Sequence, residues 1–74
     1  MEVEVKLFAT FRNGRWKSKK LWFDIDINIR VVLEILDIKE EALGIALVNG
    51  SHSNIEKILK NGDVLALFPP IGGG

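Results

Sequence analysis

The chain of 74 residues contains no cysteine, one histidine and only two prolines, which are adjacent. Without cysteine it can form neither a disulfide nor a thiolate metal site, and it offers no cysteine nucleophile. The single histidine, His52, has no partner at metal-ligand spacing. Ordinary apolar packing must therefore hold so short a domain together, and a hydrophobic fraction of 47% makes that feasible.

An excess of charge is also lacking, because ten basic residues balance ten acidic ones. Net charge thus predicts neither a nucleic-acid nor a membrane partner. No apolar run approaches the roughly 20 residues that span a bilayer, and the start MEVEVKLF is unlike a signal peptide. We expect a cytoplasmic, non-enzymatic protein with one domain over residues 1–70, a flexible glycine-rich tail over 71–74, and no bound metal or cofactor.

Two stretches near the N-terminus alternate between apolar and polar residues, which predicts half-buried strands. The first, residues 2–9, places on one face Val3, Val5, Leu7 and Ala9. The second, residues 21–27, places on one face Leu21, Phe23, Ile25 and Ile27. Residues 10–20 between them include the turn signal Asn13-Gly14, so we predict a hairpin with a long, basic connection.

The rest of the chain predicts one helix and two further strands. Residues 28–38 carry apolar side chains at helical spacing after a suitable N-cap, Asn28. Residues 44–49 predict a strand, 51–62 a single turn or 3₁₀ segment, and 63–68 a last strand that Pro69 ends. The element order predicts an α+β fold: a mixed sheet of four to five strands with one main helix across one face, and the last strand beside the first.

Four segments together resemble the MoaD/ThiS family of β-grasp, ubiquitin-like sulfur carriers. They are VKLFATFR at 5–12, VNG at 48–50, LKNGDVLALFPP at 59–70, and the final glycines. The resemblance covers the whole chain and implies a β-grasp fold. The long connection at 10–20 and the Pro-Pro pair favour the branch of the molybdopterin synthase small subunit over the thiamine-pathway carriers, although the latter also often end in three glycines.

The resemblance implies that the working group is the C-terminal carboxylate of Gly74. An adenylating enzyme would activate it with ATP, a sulfur donor would convert it to a thiocarboxylate, and the large synthase subunit would receive the sulfur. Gly72 and Gly73 lack a Cβ and can thread a narrow channel, while Pro69 and Pro70 stiffen the exit. A thiamine-pathway carrier and a ubiquitin-like modifier of lysines are the alternatives.

Alternation also predicts a partner-binding surface on the sheet face that the helix leaves open. Large apolar groups on an open face suggest an interaction patch, and the resemblance places a docking surface at Phe68. The predicted contacts are Phe8, Trp22, Phe68, Pro69, Pro70 and Ile71. Phe8 and Trp22 could instead stack on each other as a cross-strand pair, and for Trp22 the two interpretations stand level.

Half of the basic residues lie within residues 12–20, with Trp16 among them. Such a loop could bind single-stranded nucleic acid as a plain binding module, or steer an acidic partner. In a chain of zero net charge a solvated loop is the favoured interpretation, as is an exposed loop position for His52.

Overall fold

The computed structural model describes residues 1–70, in which alternating burial sets out a sheet. Val3, Val5 and Leu7 of the first strand are fully buried, as are Leu65 and Leu67 of the last one. The residues between them face the other side of the sheet, as the period of two requires. The alternation predicted for both strands is confirmed, except that the first strand ends at Leu7 and Ala9 lies outside it.

Within residues 1–70 the chain forms five strands, one α-helix and two 3₁₀ turns. In chain order these are β1 Glu2–Leu7, a 3₁₀ turn Ala9–Arg12, β2 Ser18–Trp22, α1 Ile29–Ile35, a 3₁₀ turn Glu40–Ala42, β3 Ile45–Val48, β4 Ser51–His52 and β5 Val64–Phe68. The sheet order is β2-β1-β5-β3-β4. The β1–β5 pair is parallel, and the other neighbouring strands are antiparallel. The predicted mixed sheet, with the last strand beside the first, is confirmed.

The helix begins and ends through local hydrogen bonds. The Asn28 side chain accepts a hydrogen bond from the Val31 N–H at 3.0 Å, which confirms the predicted N-cap. At the other end Asp37 has φ 58°, the Asp37 N–H donates to Glu34 and the Ile38 N–H donates to Leu33. This pair of bonds is a Schellman motif, with Asp37 in the left-handed position that glycine usually occupies.

The helix covers one face of the sheet and completes the core. Its buried residues Ile29, Val32 and Leu33 pack in one cluster with the inward side chains of the strands. Among residues 1–70 no polar or charged side chain is buried. Candidate functional side chains therefore lie on the opposite face of the sheet.

The second strand lies earlier in the chain than its alternation predicted. It spans Ser18–Trp22 rather than residues 21–27, and the side chain of Ile25 is 72% exposed. The reason lies in the pairing partner: Glu2 pairs with Trp22, and the Phe23 N–H donates to the Met1 carbonyl. This register pairs β1 with residues 18–22, and residues after 23 lie beyond the paired part of β1.

The hairpin after β3 confirms another turn signal. Asn49 and Gly50 both have positive φ, 52° and 84°, and they join Val48 to Ser51. This is the type I′ geometry that Asn-Gly favours. His52 therefore belongs to the short edge strand β4 rather than to a loop, which corrects its predicted position. Residues 55–56 form a turn within the segment where a single turn was expected.

Candidate functional site

The last strand leads directly to the predicted working end of the chain. Phe68 closes β5 opposite Ile45 on β3, and Pro69 follows outside the ladder, as predicted. Pro69 is half-buried and Pro70 is exposed. The contacts and chemistry predicted for residues 71–74 fall outside the described residues. The site can be described as far as the Pro69–Pro70 stem, which is the name we use for these two residues.

The face of the sheet opposite α1, which we call the open face, has an apolar half and a mainly polar half. Its β3 and β5 half presents mainly apolar side chains, namely Ile45, Leu47, Val64, Ala66 and Phe68. Its β1 and β2 half presents Glu2, Glu4, Lys6, Ser18, Lys20 and Trp22. Because the stem leaves from β5, it emerges on the apolar side of this division.

An apolar groove lies where the chain leaves the sheet. It has a volume of about 520 Å³, and its lining residues are Gly44, Ile45, Leu47, His52, Phe68 and Pro69. Phe68 and Pro69 thus line a concave surface rather than a flat one. The groove is wide enough to accept an apolar side chain of a partner at the base of the tail.

Two aromatic rings stand beside this groove. Phe8 and Phe68 stack with their ring centroids 4.2 Å apart and their planes at 10°. Phe8 reaches this position because β1 and β5 run parallel, and its N–H donates to the Leu67 carbonyl at 3.2 Å. The predicted alternative, a stack of Phe8 on Trp22, is wrong, because Trp22 pairs with Glu2 at the far end of β1.

A second, charged groove lies on the other side of the stacked rings. Its volume is about 360 Å³, and its lining residues are Glu4, Lys6, Phe8, Arg12, Lys17 and Ser18. The Arg12 guanidinium carbon lies 5.2 Å from the Phe8 ring centroid, within cation–π range. Arg12 Nε also donates to the Leu7 carbonyl. The three cations outnumber the one carboxylate, so this groove attracts negative charge.

Trp22 and His52 were placed differently by sequence reasoning. Trp22 is 69% exposed, and its indole N–H donates to Asp24 at 3.2 Å. Its pairing partner Glu2 lies six residues before Phe8, about 20 Å along β1, so the predicted partner contact of Trp22 would be separate from the one at Phe68. His52 was missed as a groove residue. A two-residue Asn49-Gly50 turn pairs His52 with Leu47. That pairing could have been read from the sequence, and it would have placed His52 beside the groove.

The basic loop is only partly solvated. Arg15 donates to the Leu36 carbonyl from Nε at 3.2 Å and from Nη2 at 3.0 Å, and to the Phe11 carbonyl at 3.3 Å. Trp16 packs against the core. Lys17, Lys19 and Lys20 are exposed. Arg15 and Trp16 are thus tied to the fold, which weakens the interpretation of this loop as a nucleic-acid surface.

Residues 1–70 also bear on two other kinds of site, metal-binding and membrane-spanning. There, no group of three or more side chains has the types and placement to hold a metal ion. No helix in the same part of the chain is long and apolar enough to cross a membrane. The open face and the stem are therefore the features on which a function can be built.

Comparison with known proteins agrees with this geometry. The family model described as the ThiS family matches residues 5–74. The chain belongs to that family. This family comprises β-grasp, ubiquitin-like carriers of the MoaD/ThiS type, and the five-stranded sheet with one helix fits that fold.

Three relatives show the breadth of the family. Small archaeal modifier protein 3 of Haloferax volcanii is 29% identical, with full coverage of both chains. Small archaeal modifier protein 1 of the same organism is 25% identical, with a TM-score of 0.74 over 95% of this chain and 98% of that one. A chain in the complex of subunits 1 and 2 of molybdopterin-converting factor from Helicobacter pylori 26695 is 26% identical, with a TM-score of 0.67 and full coverage of both.

Proposed function

We propose that the protein is a sulfur carrier that donates sulfur in molybdopterin biosynthesis as the small subunit of molybdopterin synthase. One observation carries the proposal: β5 delivers Phe68 and the Pro69–Pro70 stem to the rim of an apolar groove, and the sequence there continues Ile-Gly-Gly-Gly. The carboxylate of Gly74 is the group that reacts. Ile71 contacts the partner, and Gly72 and Gly73 provide the reach.

The proposed chemistry has two substitutions. A carboxylate oxygen of Gly74 attacks the α-phosphate of ATP, which forms an acyl-adenylate and releases pyrophosphate. Sulfide then attacks the acyl carbon, AMP leaves, and a thiocarboxylate remains. A free carboxylate is a poor electrophile, so the adenylate supplies the missing leaving group. Among residues 1–70 every charged side chain is at least partly exposed, so a partner must provide the enclosed nucleotide site.

The open face indicates how a partner would recognise the protein. The apolar groove accepts an apolar side chain, and the charged groove beside it is lined by Phe8 together with the cations Lys6, Arg12 and Lys17. A complementary partner therefore carries an apolar protrusion flanked by carboxylates. The aromatic pair supplies most of the affinity, whereas the cations mainly raise the association rate. The adenylating enzyme and the large synthase subunit are the proposed partners, and they would use this face in turn.

The test is sulfur loading followed by intact-mass measurement. Incubation with the adenylating enzyme of the same genome, ATP and sulfide should add about 16 Da, the difference between sulfur and oxygen at the activated carboxylate. The matched control lacks Gly73 and Gly74; it should gain no mass while its circular dichroism stays that of the wild type. An enzyme that loads another carrier but leaves this protein unchanged in mass would overturn the proposal.

The molybdopterin assignment is tested by the second half of the reaction. The large synthase subunit with its pterin precursor should bind the loaded protein and return its mass to the starting value. Support comes from the Helicobacter pylori relative, which forms part of a complex of subunits 1 and 2. A loaded protein that instead gives its sulfur to a thiazole synthase would place it in the thiamine pathway.

A second candidate function is covalent modification of proteins. Two relatives bear the name small archaeal modifier protein. The same adenylate can be attacked by a lysine amine, which forms an isopeptide bond and releases AMP. Purification from the native cells under denaturing conditions, followed by peptide mass spectrometry, should then find lysines carrying the C-terminal glycines. Their absence, together with efficient sulfur loading, would favour the carrier alone.

A further inference from the structure

Gly44, which immediately precedes β3, lies against the stem of the tail. Its backbone is outside the left-handed region, unlike that of Gly14, Gly50 and Gly62. The local conformation therefore does not require glycine at this position. The reason for glycine has to come from what lies next to it.

The neighbour of Gly44 is a single peptide unit. A Cβ at residue 44 would lie 2.7 Å from the Pro69 carbonyl carbon, 2.7 Å from its oxygen and 2.7 Å from the Pro70 nitrogen. Carbon atoms in favourable contact are about 3.5–4.0 Å apart. These are backbone atoms, which cannot swing aside as the end of a side chain can. Any other residue at 44 would have to displace either the stem or the start of β3.

Hydrogen bonding prevents the two segments from separating freely. The Gly44 N–H donates to the Phe68 carbonyl at 2.8 Å, one residue before the stem. Pro69 and Pro70 have fixed φ angles and no N–H of their own, so the stem has few ways to absorb a displacement. A shift imposed at Gly44 is therefore passed to the residues that follow Pro70.

The length of the tail makes a small change of direction matter. Four residues reach at most about 14 Å when extended. If the tail is drawn straight into a partner's nucleotide site, a deflection of about 15° at the stem moves its end by about 3–4 Å over that reach. Misplacement of a reacting group by about 1 Å can lower a rate as much as 100-fold.

We infer that Gly44 is a positioning residue for the tail: its missing Cβ lets the Pro69–Pro70 peptide lie against β3 and sets the direction in which the chain leaves the sheet. This inference rests on the proposed function, because the direction matters only if the tail enters a partner. Docking through the charged groove of the open face, which Gly44 does not line, would be kept when Gly44 is replaced. Presentation of the Gly74 carboxylate to ATP would be lost.

The test compares Gly44→Ala with Gly62→Ala. Gly62 has φ +87° and open space around it, so alanine there strains the backbone without touching the stem. Pyrophosphate release by the adenylating enzyme, with ATP saturating and the carrier varied, should show kcat at least tenfold lower for Gly44→Ala. This factor should exceed the accompanying rise in KM, which is expected because Gly44 also lines the apolar groove. Gly62→Ala should retain the wild-type kcat. An unchanged kcat for Gly44→Ala, or an equal fall for Gly62→Ala, would overturn the inference.

Two further measurements test the inference without the enzyme and in the case that Gly44→Ala does not fold. The amide resonances of Ile71 and Gly72 should shift in Gly44→Ala and stay in place in Gly62→Ala; unmoved resonances refute the inference without any enzyme. If Gly44→Ala does not fold, Pro70→Gly loosens the same stem while Gly44 is kept, and its kcat should fall in the same way. Wild-type protein that is never adenylated would count against the proposed function, and the resonance comparison would then decide the inference alone.

Discussion

Replacement of Arg15 by alanine should cost the protein a large share of its stability. The Arg15 guanidinium holds the Leu36 carbonyl with two nitrogens, at 3.2 and 3.0 Å, and also reaches the Phe11 carbonyl at 3.3 Å. Leu36 is the C-cap of α1, where carbonyl groups lack helical partners. Arg15 therefore ties the basic loop to the negative end of the helix.

The size of the loss follows from these contacts. A hydrogen bond to a charged group contributes about 1.5–3 kcal/mol, and a cation at a helix C-terminus about 0.3–1 kcal/mol. Since Arg15 is only half-buried, we expect about 2–3 kcal/mol in all. A chain of this length has a free energy of unfolding of roughly 4–11 kcal/mol. The thermal midpoint of Arg15→Ala should therefore fall by about 10–20 °C.

Urea unfolding followed by far-ultraviolet circular dichroism measures the change directly. The midpoint should fall with the slope m unchanged, because the native fold is kept. Lys17→Ala, in the same loop but with an exposed side chain, is the matched control and should stay within about 0.5 kcal/mol of the wild type. A loss below about 0.5 kcal/mol for Arg15→Ala, or equal losses for the two variants, would refute the structural role of Arg15. If nucleic-acid binding were the purpose of the loop, both variants would weaken binding and neither would unfold the protein.

Three other outcomes follow from the same geometry. Asp37→Gly should raise the free energy of unfolding by about 0.5–1 kcal/mol, because it removes a left-handed aspartate and a negative charge from the helix C-terminus; a fall in urea midpoint would contradict this. Phe68→Ala should weaken partner binding at least tenfold, as for an aromatic hot spot, measured by calorimetry. In double-mutant cycles, the losses of binding free energy for Phe68→Ala and Trp22→Ala should add within about 0.5 kcal/mol. The losses for Phe68→Ala and Phe8→Ala should not add, and additivity of this stacked pair would argue against a shared contact.

The parts of the fold that local rules determine could be predicted. Asn28 caps the helix, Asn49-Gly50 makes a hairpin and Pro69 ends β5, because each depends on a few neighbouring residues. The inward faces of β1 and β5 follow from period two alone. Phe8, Trp22 and Phe68 of the open face were predicted from the same alternation, whereas the stack of Phe8 on Phe68 was not.

The second strand and Gly44 could not be predicted, for different physical reasons. Residues 18–20 were read as part of a loop because two of the three are lysines, yet an edge strand tolerates exposed lysines, which discourage pairing with other chains. Their pairing with β1 is decided by where β1 begins, which lies far away in sequence. The contact of Gly44 with the Pro69–Pro70 peptide is likewise a meeting of distant backbones, and no local motif marks it.

For the proposed function, strand order would allow the chain to present its C-terminal end to a partner without loosening the sheet. β5 lies between β1 and β3, so hydrogen-bonded strands hold it on both sides. Its inward residues Leu65 and Leu67 are fully buried, and the Asn49 side chain accepts from the Val64 N–H at 2.9 Å. Central strands of this kind open least often.

In the proposed function, a partner that draws the tail into its nucleotide site would therefore pull on a strand that ladders hold on both sides. A tail attached to β2 or β4, the strands at the two edges, would instead let that pull peel the strand away, because only one ladder would resist it. The central position of β5 would keep the open face intact during the proposed reaction at the end of the chain. With the proposed roles, docking and chemistry should respond to separate substitutions, on Phe68 for docking and on Gly74 for the chemistry.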